Sequence, residues 1–163
     1  MSAAPTAVYD CMVFLQAVVN PNGPAFRCFE AIESKHTTLL VCPAIIAELH
    51  DVLNRPHLQT KLKRLTPERA GEFLQRVLVL AENRPDPATH FALPRDPDDE
   101  IYLNLAIESQ ANHLVTWNER HLTYLTSANA PEAVDFRKRF PALTILNPPG
   151  FLHAIHFTSG TTG

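Results

Sequence analysis

Short apolar runs alternate along this chain with longer stretches in which apolar residues recur at helical spacing. The runs at 6–9, 37–42, 113–116 and 143–146 have the composition and length of buried strands. Helical spacing or helix start signals fill most of the intervals between them. Strands that alternate with helices predict an α/β fold of three layers, in which helices cover both faces of a central, mostly parallel sheet.

Helix boundaries are predicted from the apolar stripes and from residues that start or stop helices. Helices are expected at about 13–19, 25–33, 43–53, 58–65 and 131–140, with a helical turn near 148–152. One further helix is expected to begin at 67, and another to begin in the acidic stretch and end at about 110. Pro43 suits the first turn of one helix, and Thr66 and Pro67 suit the N-cap and first turn of another. Residues 89–93 are expected to form a short edge strand or an irregular segment.

Composition and charge narrow the class of protein. The chain has 163 residues and 45% hydrophobic content, which predicts one domain over 1–163, with a core at about 6–153 and a frayed tail at 158–163. No apolar run approaches the ~20 residues that span a bilayer, and no signal segment begins the chain, so a soluble cytoplasmic protein is expected. The net charge of -3 argues against a wholly cationic surface, so any nucleic-acid contact must be local.

Motifs of several common protein classes are missing. The three cysteines, Cys11, Cys28 and Cys42, lack close pair spacing and are predicted to be small core residues rather than a disulfide framework. The chain has no Gly-x-Gly-x-x-Gly or Walker-type loop to cradle nucleotide phosphates. If phosphate chemistry occurs, metal ions must therefore supply the electrostatics.

The densest cluster of charge precedes an apolar helical run at 101–106. It contains Asp96, Asp98, Asp99 and Glu100. Like charges within a few ångströms resist joint ionisation, so this cluster must face water, cap a helix or hold a metal. Two interpretations stay open, namely that Asp98 or Asp99 is a helix N-cap, and that the cluster contributes to a metal site.

Two further polar residues follow predicted strands. Asp10 comes directly after the run at 6–9, and Asn118 follows the run at 113–116. If these strands are parallel neighbours, their carboxyl ends lie at one edge of the sheet, where open α/β folds place their sites. The two residues and the acidic cluster are therefore expected to converge.

Glu48 lies within an apolar helical stripe formed by Ile45, Leu49 and Val52. A carboxylate in that position needs a partner, so Glu48 either reaches a cation or extends to the rim of the apolar face. Its place beside Asp10 and Asp99 in the expected site favours the first of these.

Other polar and aromatic residues allow two interpretations each. The most basic part of the chain is either a solvated face or a rim that contacts RNA. Trp117 is either a packing residue or a platform that stacks on a base. The histidines have no tight metal-ligand spacing, and His121 is expected to be structural unless it lines the site. The basic residues are Arg55, Lys61, Lys63, Arg64, Arg69 and Arg76.

The order of these motifs resembles the PIN-domain family, many of whose members are ribonuclease toxins of the VapC type paired with antitoxins. The resemblance covers about residues 6–153. It depends on four parts: Asp10 after the first strand, Pro43–Leu49, Asp96–Asp99 ahead of an apolar helix, and Leu114–Asn118.

The resemblance implies an endoribonuclease that depends on a divalent metal, Mg²⁺ or Mn²⁺, held by acidic residues. Asp10, Glu48 and Asp99 match acids of the family, and Asp96 is the weaker candidate for the same role as Asp99. Asn118 falls where many members carry a fourth acid and others an asparagine. The family further implies an RNA substrate, a cognate antitoxin and a homodimer.

Three residues depart from the family pattern. Cys11 and Met12 replace polar residues that often follow the first aspartate, and His121 replaces an acid. These departures keep a second interpretation open, a catalytically degenerate PIN-like module that binds RNA or a protein partner. A small-molecule phosphohydrolase with Asp10 as nucleophile is a third, which Met12 disfavours because such enzymes commonly carry a second aspartate there.

Overall fold

The computed structural model describes residues 3–158, and within them five strands form one sheet. The order across the sheet is β3-β2-β1-β4-β5, and every neighbouring pair is parallel. This confirms the predicted α/β class with a mostly parallel sheet. The strands are β1 (Thr6–Tyr9), β2 (Thr38–Val41), β3 (Glu82–Asn83), β4 (His113–Val115) and β5 (Thr144–Leu146).

The helices begin with a recurring signal, because six of those described have proline in the first turn. Proline fits there because its fixed φ is helical and its missing N–H would have no intrahelical partner. The helices are α1 (Cys11–Val19), α2 (Pro24–Glu33), α3 (Pro43–Leu53), α4 (Pro56–Lys61), α5 (Pro67–Leu80), α6 (Glu100–Glu108), α7 (Pro131–Arg139) and α8 (Pro148–Ala154). Short 3₁₀ turns at Pro97–Asp99 and Thr123–Thr126 complete the regular structure of this part of the chain.

Most element boundaries lie within a few residues of the predicted ones, and two elements differ. β3 was not predicted, because it has two exposed polar residues and no apolar pattern. α4 occupies 56–61 rather than 58–65. Two forms were expected for residues 89–93, and they form an irregular segment, not an edge strand.

Both faces of the sheet are covered by packed side chains. Ala7, Val8 and Tyr9 are consecutive and buried, and successive strand residues point to opposite faces. The Tyr9 ring packs against Phe14 of α1 at 5.8 Å and Phe151 of α8 at 5.6 Å between ring centroids. Its hydroxyl donates a 2.8 Å hydrogen bond to a backbone carbonyl of α2, which satisfies the polar end of a buried side chain.

The three cysteines are buried and unpaired, which confirms that they are small core residues. No helix within 3–158 is long and apolar enough to cross a bilayer. The division into a single domain over 1–163 stays a prediction. Of the predicted tail, Thr158 has no regular secondary structure, and 159–163 lie outside the described residues.

The sheet register places the end of β1 beside the end of β4. Tyr9 is opposite Val115, so Asp10 and Thr116 are the next residues along the same edge. The Asp10 N–H donates to the Val115 carbonyl at 3.1 Å, which extends the parallel ladder to the first acid. The predicted convergence of the two strand ends is therefore confirmed.

Candidate active site

Asp10 ends β1 and is also the N-cap of α1. Its Oδ1 accepts hydrogen bonds from the N–H groups of Met12 at 2.8 Å and Val13 at 3.3 Å, and its Oδ2 accepts one from the Thr116 hydroxyl. The side chain is nearly inaccessible, and this burial raises the pKa of its carboxyl. The three donors lower that pKa, and the Glu48 charge raises it further.

Asn118 joins the acidic stretch to the end of β4. Its Nδ2 donates to Asp99 Oδ2 at 2.7 Å and to Asp96 Oδ2 at 2.8 Å. Its Oδ1 accepts from the His121 N–H at 3.0 Å, which leaves the amide nitrogen facing the acids. Asn118 therefore supplies the positive end of a dipole between two carboxylates.

The half-buried Asp99 carboxyl has a pKa raised to about 6. Burial is the largest cause, and the charges of Asp10 and Asp96 add to it, whereas the Asn118 hydrogen bond acts in the opposite direction. The charge of Asp10 is thus felt at Asp99, which confirms that the strand end and the acidic stretch converge.

The helix-cap interpretation of the acidic stretch holds for the position of Asp99 but not for its side-chain hydrogen bonds. Asp99 occupies the N-cap position of α6, and Asp96 that of the preceding 3₁₀ turn, but neither side chain makes a capping hydrogen bond. Asp98 is exposed. Glu100 instead accepts the Leu93 N–H at 2.8 Å and so ties the preceding loop to α6. Asp96 and Asp99 are turned toward Asn118.

Glu48 of α3 is half-buried and is held by a tyrosine. The Tyr102 hydroxyl donates to Glu48 Oε2 at 2.7 Å, across the contact between α3 and α6. Burial raises the pKa of Tyr102, so its hydroxyl remains a hydrogen-bond donor. The partner that Glu48 finds among the described residues is therefore a neutral phenol and not a cation.

Four of the predicted site residues line one open cleft of about 490 Å³: Asp10, Glu48, Asp99 and Asn118. Asp96 lies in the wall of a neighbouring cleft of about 480 Å³, together with Arg95, Arg120 and His121. The bifurcated amide of Asn118 joins the two clefts. The structure thus brings four predicted residues into one cavity and leaves Asp96 at its border.

The comparisons with known proteins assign the chain to a family. The sequence pattern described as the PIN domain matches residues 6–120, which include all five predicted site residues. The chain belongs to the PIN-domain family. Its α7, β5 and α8 follow the matched segment.

Two further proteins are similar to this PIN-domain chain. An uncharacterized protein of Methanocaldococcus jannaschii, MJ1680, is 26% identical over 125 residues, which are 75% of this chain and 76% of that protein. A chain in the crystal structure of VapBC2 from Rickettsia felis, bound to a DNA fragment from their promoter, superimposes with a TM-score of 0.51. That match covers 87% of this chain and 98% of the other at 17% identity, so it shows a shared fold.

Membership of the PIN-domain family implies a divalent metal ion, and the residues lining the cleft fit one in their chemistry. Carboxylate oxygens are the hard donors that Mg²⁺ prefers, and a cation would stabilise the charged forms of Asp10 and Asp99, whose pKa values are raised mainly by burial. Within 3–158, however, no three His, Cys, Asp or Glu side chains stand close enough together to hold one ion. The carboxylates would have to draw together around a bound ion.

Sequence reasoning missed two residues that orient the acids of this PIN domain. Tyr102 lies three residues after Asp99, so helical spacing places both residues on one face of the helix. This spacing could have indicated that Tyr102 belongs to the site. Thr116 hydrogen-bonds Asp10 through its hydroxyl and accepts the Asn118 N–H at 3.0 Å. The sequence signal for Thr116 is weaker, because a threonine at a strand end is common.

Proposed function

We propose that this protein is an endoribonuclease that hydrolyses RNA phosphodiester bonds with the aid of a divalent metal ion, Mg²⁺ or Mn²⁺. The observation that carries the proposal is the convergence of Asp10, Glu48 and Asp99 on one open cleft at the carboxyl edge of the sheet. PIN domains are generally nucleases. Three acids from three distant parts of the chain, two of them with raised pKa values, form a site that favours a cationic ligand.

Asp10 and Asp99 would hold the ion, with Glu48 and Asp96 as further candidates. When bound, the ion would lower the pKa of a water molecule, and its positive charge would offset the negative charge that develops on the phosphate. The contribution of the chain is to hold the carboxylates: Thr116 and two N–H groups fix Asp10, and Asn118 fixes Asp99.

Glu48 would orient the attacking water. Tyr102 occupies its Oε2, while Oε1 forms no hydrogen bond within the described residues and is free to accept one from water. Because the phenol fixes the carboxylate plane, the free oxygen has a defined direction. Positioning of this kind is a large part of the catalytic effect in phosphoryl-transfer sites.

Contacts to the RNA backbone would be local, since the chain carries a net charge of -3. Arg55 and His57 line the same cleft as the acids. Arg55 also forms a 2.9 Å ion pair with Asp51 one helical turn away, and both side chains are exposed. Such a pair is weak, so Arg55 can turn toward a phosphate at little cost.

The test of this proposal is cleavage of a panel of labelled RNAs by purified protein in Mg²⁺, in Mn²⁺ and in excess EDTA. Asp99→Asn, prepared identically, is the control for a contaminating nuclease. We expect cleavage that requires metal and falls at least 100-fold in the mutant, the order lost when a group acting directly on the reaction is removed. Full activity of Asp99→Asn together with loss of activity in Asp10→Asn would move the assignment to Asp96 or Asp98, whereas full activity of both variants would indicate a contaminating nuclease.

We further propose that the protein is the toxin of a cytoplasmic toxin–antitoxin pair and forms a homodimer. Membership of the PIN-domain family and the fold shared with a VapBC2 chain support this proposal. Induced expression should arrest growth with the wild type and not with Asp99→Asn. Equal growth of the two strains would contradict a toxin.

A second candidate function is a degenerate module that binds RNA or a protein. The observation that favours it is the Asn118 amide, which donates to both Asp96 and Asp99 and so gives each carboxyl group a hydrogen-bond partner without a metal. RNA binding without cleavage in either metal would support this candidate.

A further inference from the structure

Two large hydrophobic side chains are exposed at the cleft that contains the acids. Exposed side chains of this size among the described residues are Met12, Leu78, Val79 and Trp117. Met12, at 49% exposure, and Trp117, at 36%, both line the cleft, whereas Val79, at 74%, does not. Exposed apolar side chains that share one cleft with polar groups form a surface on which a ligand can bind.

The Trp117 indole is held in place by its neighbours on both sides. Thr116 bonds Asp10 and Asn118 bonds Asp99, so the residue between them is tied to the two acids. The indole N–H donates to Gln16 Oε1 of α1. The ring is therefore positioned before any ligand arrives.

About a third of the Trp117 residue surface is exposed. No aromatic ring or guanidinium stacks on Trp117 among the described residues, whereas the core ring of Tyr9 contacts both Phe14 and Phe151. Because Gln16 satisfies its only polar group, what the indole still offers a ligand is an apolar π-surface. Every nucleobase has a π-face that can stack on such a ring, and this contact tolerates any sequence.

We propose that Trp117 stacks on an unpaired base next to the phosphate bound at the acidic cleft, and that Met12 forms the second apolar surface of the same subsite. This inference rests on the proposed function, since it assigns a residue that holds the substrate of that site. A base inside a duplex has both faces covered by its neighbours. The subsite therefore requires a nucleotide whose base is free to leave its stack.

The test uses the single tryptophan of the chain as its own reporter. In the Asp99→Asn background, with Mg²⁺ present, a labelled single-stranded oligoribonucleotide is titrated while tryptophan fluorescence and label anisotropy are recorded. We expect quenching that follows binding, because a stacked base contacts the indole directly. The same strand annealed to its complement should bind at least 10-fold more weakly.

Variants then assign the contact to the ring. Trp117→Ala should bind the single strand roughly 5- to 150-fold more weakly, the range for loss of one stacked base, and Trp117→Phe should recover most of that loss. Val79→Ala removes an exposed apolar side chain outside the cleft and should bind as the parent does. Thermal unfolding of each variant checks that the fold is retained.

The outcomes separate this inference from the nuclease proposal. Cleavage by the wild type, combined with equal RNA affinity of Trp117→Ala and Val79→Ala, overturns the stacking contact and leaves the nuclease intact. Quenching and weakened Trp117→Ala binding, combined with no cleavage by the wild type, support the contact and overturn the nuclease. No binding of any RNA overturns the stacking contact, and no cleavage by the wild type in addition overturns the nuclease.

Discussion

The residues of the candidate site act in pairs, each an acid and the group that holds it. Asp10 is held by Thr116, Asp99 by Asn118 and Glu48 by Tyr102. Each holder is neutral and donates a hydrogen bond, so each carboxyl group gains a defined direction. Charge-assisted hydrogen bonds of this kind are stronger than those between neutral groups.

Tyr102→Phe tests the pair that sequence reasoning missed. The change removes the 2.7 Å hydrogen bond to Glu48 and keeps the ring, so the fold should lose only about 1 kcal/mol of stability. If Glu48 orients the attacking water, RNA cleavage should fall roughly 10-fold, as for loss of an outer partner at a metal site.

A double mutant distinguishes positioning from general damage to the fold. Because Tyr102 acts through Glu48, adding Tyr102→Phe to Glu48→Gln should lower the cleavage rate little further. Independent, multiplicative effects of the two substitutions would show that Tyr102 acts by another route.

At the scale of the elements, one residue connects helix formation with the site. Asp10 caps α1 through two backbone N–H groups and also belongs to the acid cleft. The cap explains why α1 begins at residue 11, two residues before the predicted start. In helix α6 the N-cap residue, Asp99, makes no capping hydrogen bond, and its carboxyl group accepts a hydrogen bond from Asn118 instead.

The two roles of Asp10 can be separated by paired substitutions. Asparagine is as good an N-cap as aspartate, so Asp10→Asn should keep α1 and lose RNA cleavage. Asp10→Ala should lose cleavage and also about 1–2 kcal/mol of unfolding free energy, because two helical N–H groups lose their acceptor. Urea unfolding in EDTA measures the difference, and equal stability of the two variants would contradict a capping role.

At the scale of the whole molecule, folding gathers negative charge at one edge of the sheet. The sign of the effect on stability follows from the pKa shifts. Asp99 is raised from 3.8 to about 6, and the pKa of Asp10 is also raised, so between these values the native state holds more protons than the unfolded chain. The contribution of these acids to metal-free stability therefore declines as the pH rises from about 4 to about 6.

Comparison of the wild type with Asp99→Asn isolates the Asp99 part of this dependence. In EDTA the two should be equally stable near pH 4 and differ by about 1 kcal/mol in favour of the mutant at pH 7, a small value because solvent screens the half-exposed carboxylate. Urea unfolding across this pH range measures the difference. A wild type more stable than the mutant at pH 7 would mean that the Asn118 hydrogen bond outweighs burial.

The sequence by itself determined the class of fold, the order of the elements and which polar residues end strands. These properties are local, because strand composition, proline in first turns and the Thr66 cap depend on neighbours in the chain. The same local signals predicted that Asp10, Asn118 and the acidic stretch would meet. β3 escaped prediction because two exposed polar residues carry no such signal.

Only the tertiary structure decided the strand order and the partner of each acid. Thr116 lies 106 residues from Asp10, and Tyr102 lies 54 from Glu48, so no local pattern can pair them. The competition for Asp99 was settled in the same way: the cap and the contact with Asn118 were both available to its carboxylate. The fold brings the amide of Asn118 within 2.7 Å of the Asp99 carboxylate, a contact between residues 19 apart in the chain that no local pattern can specify.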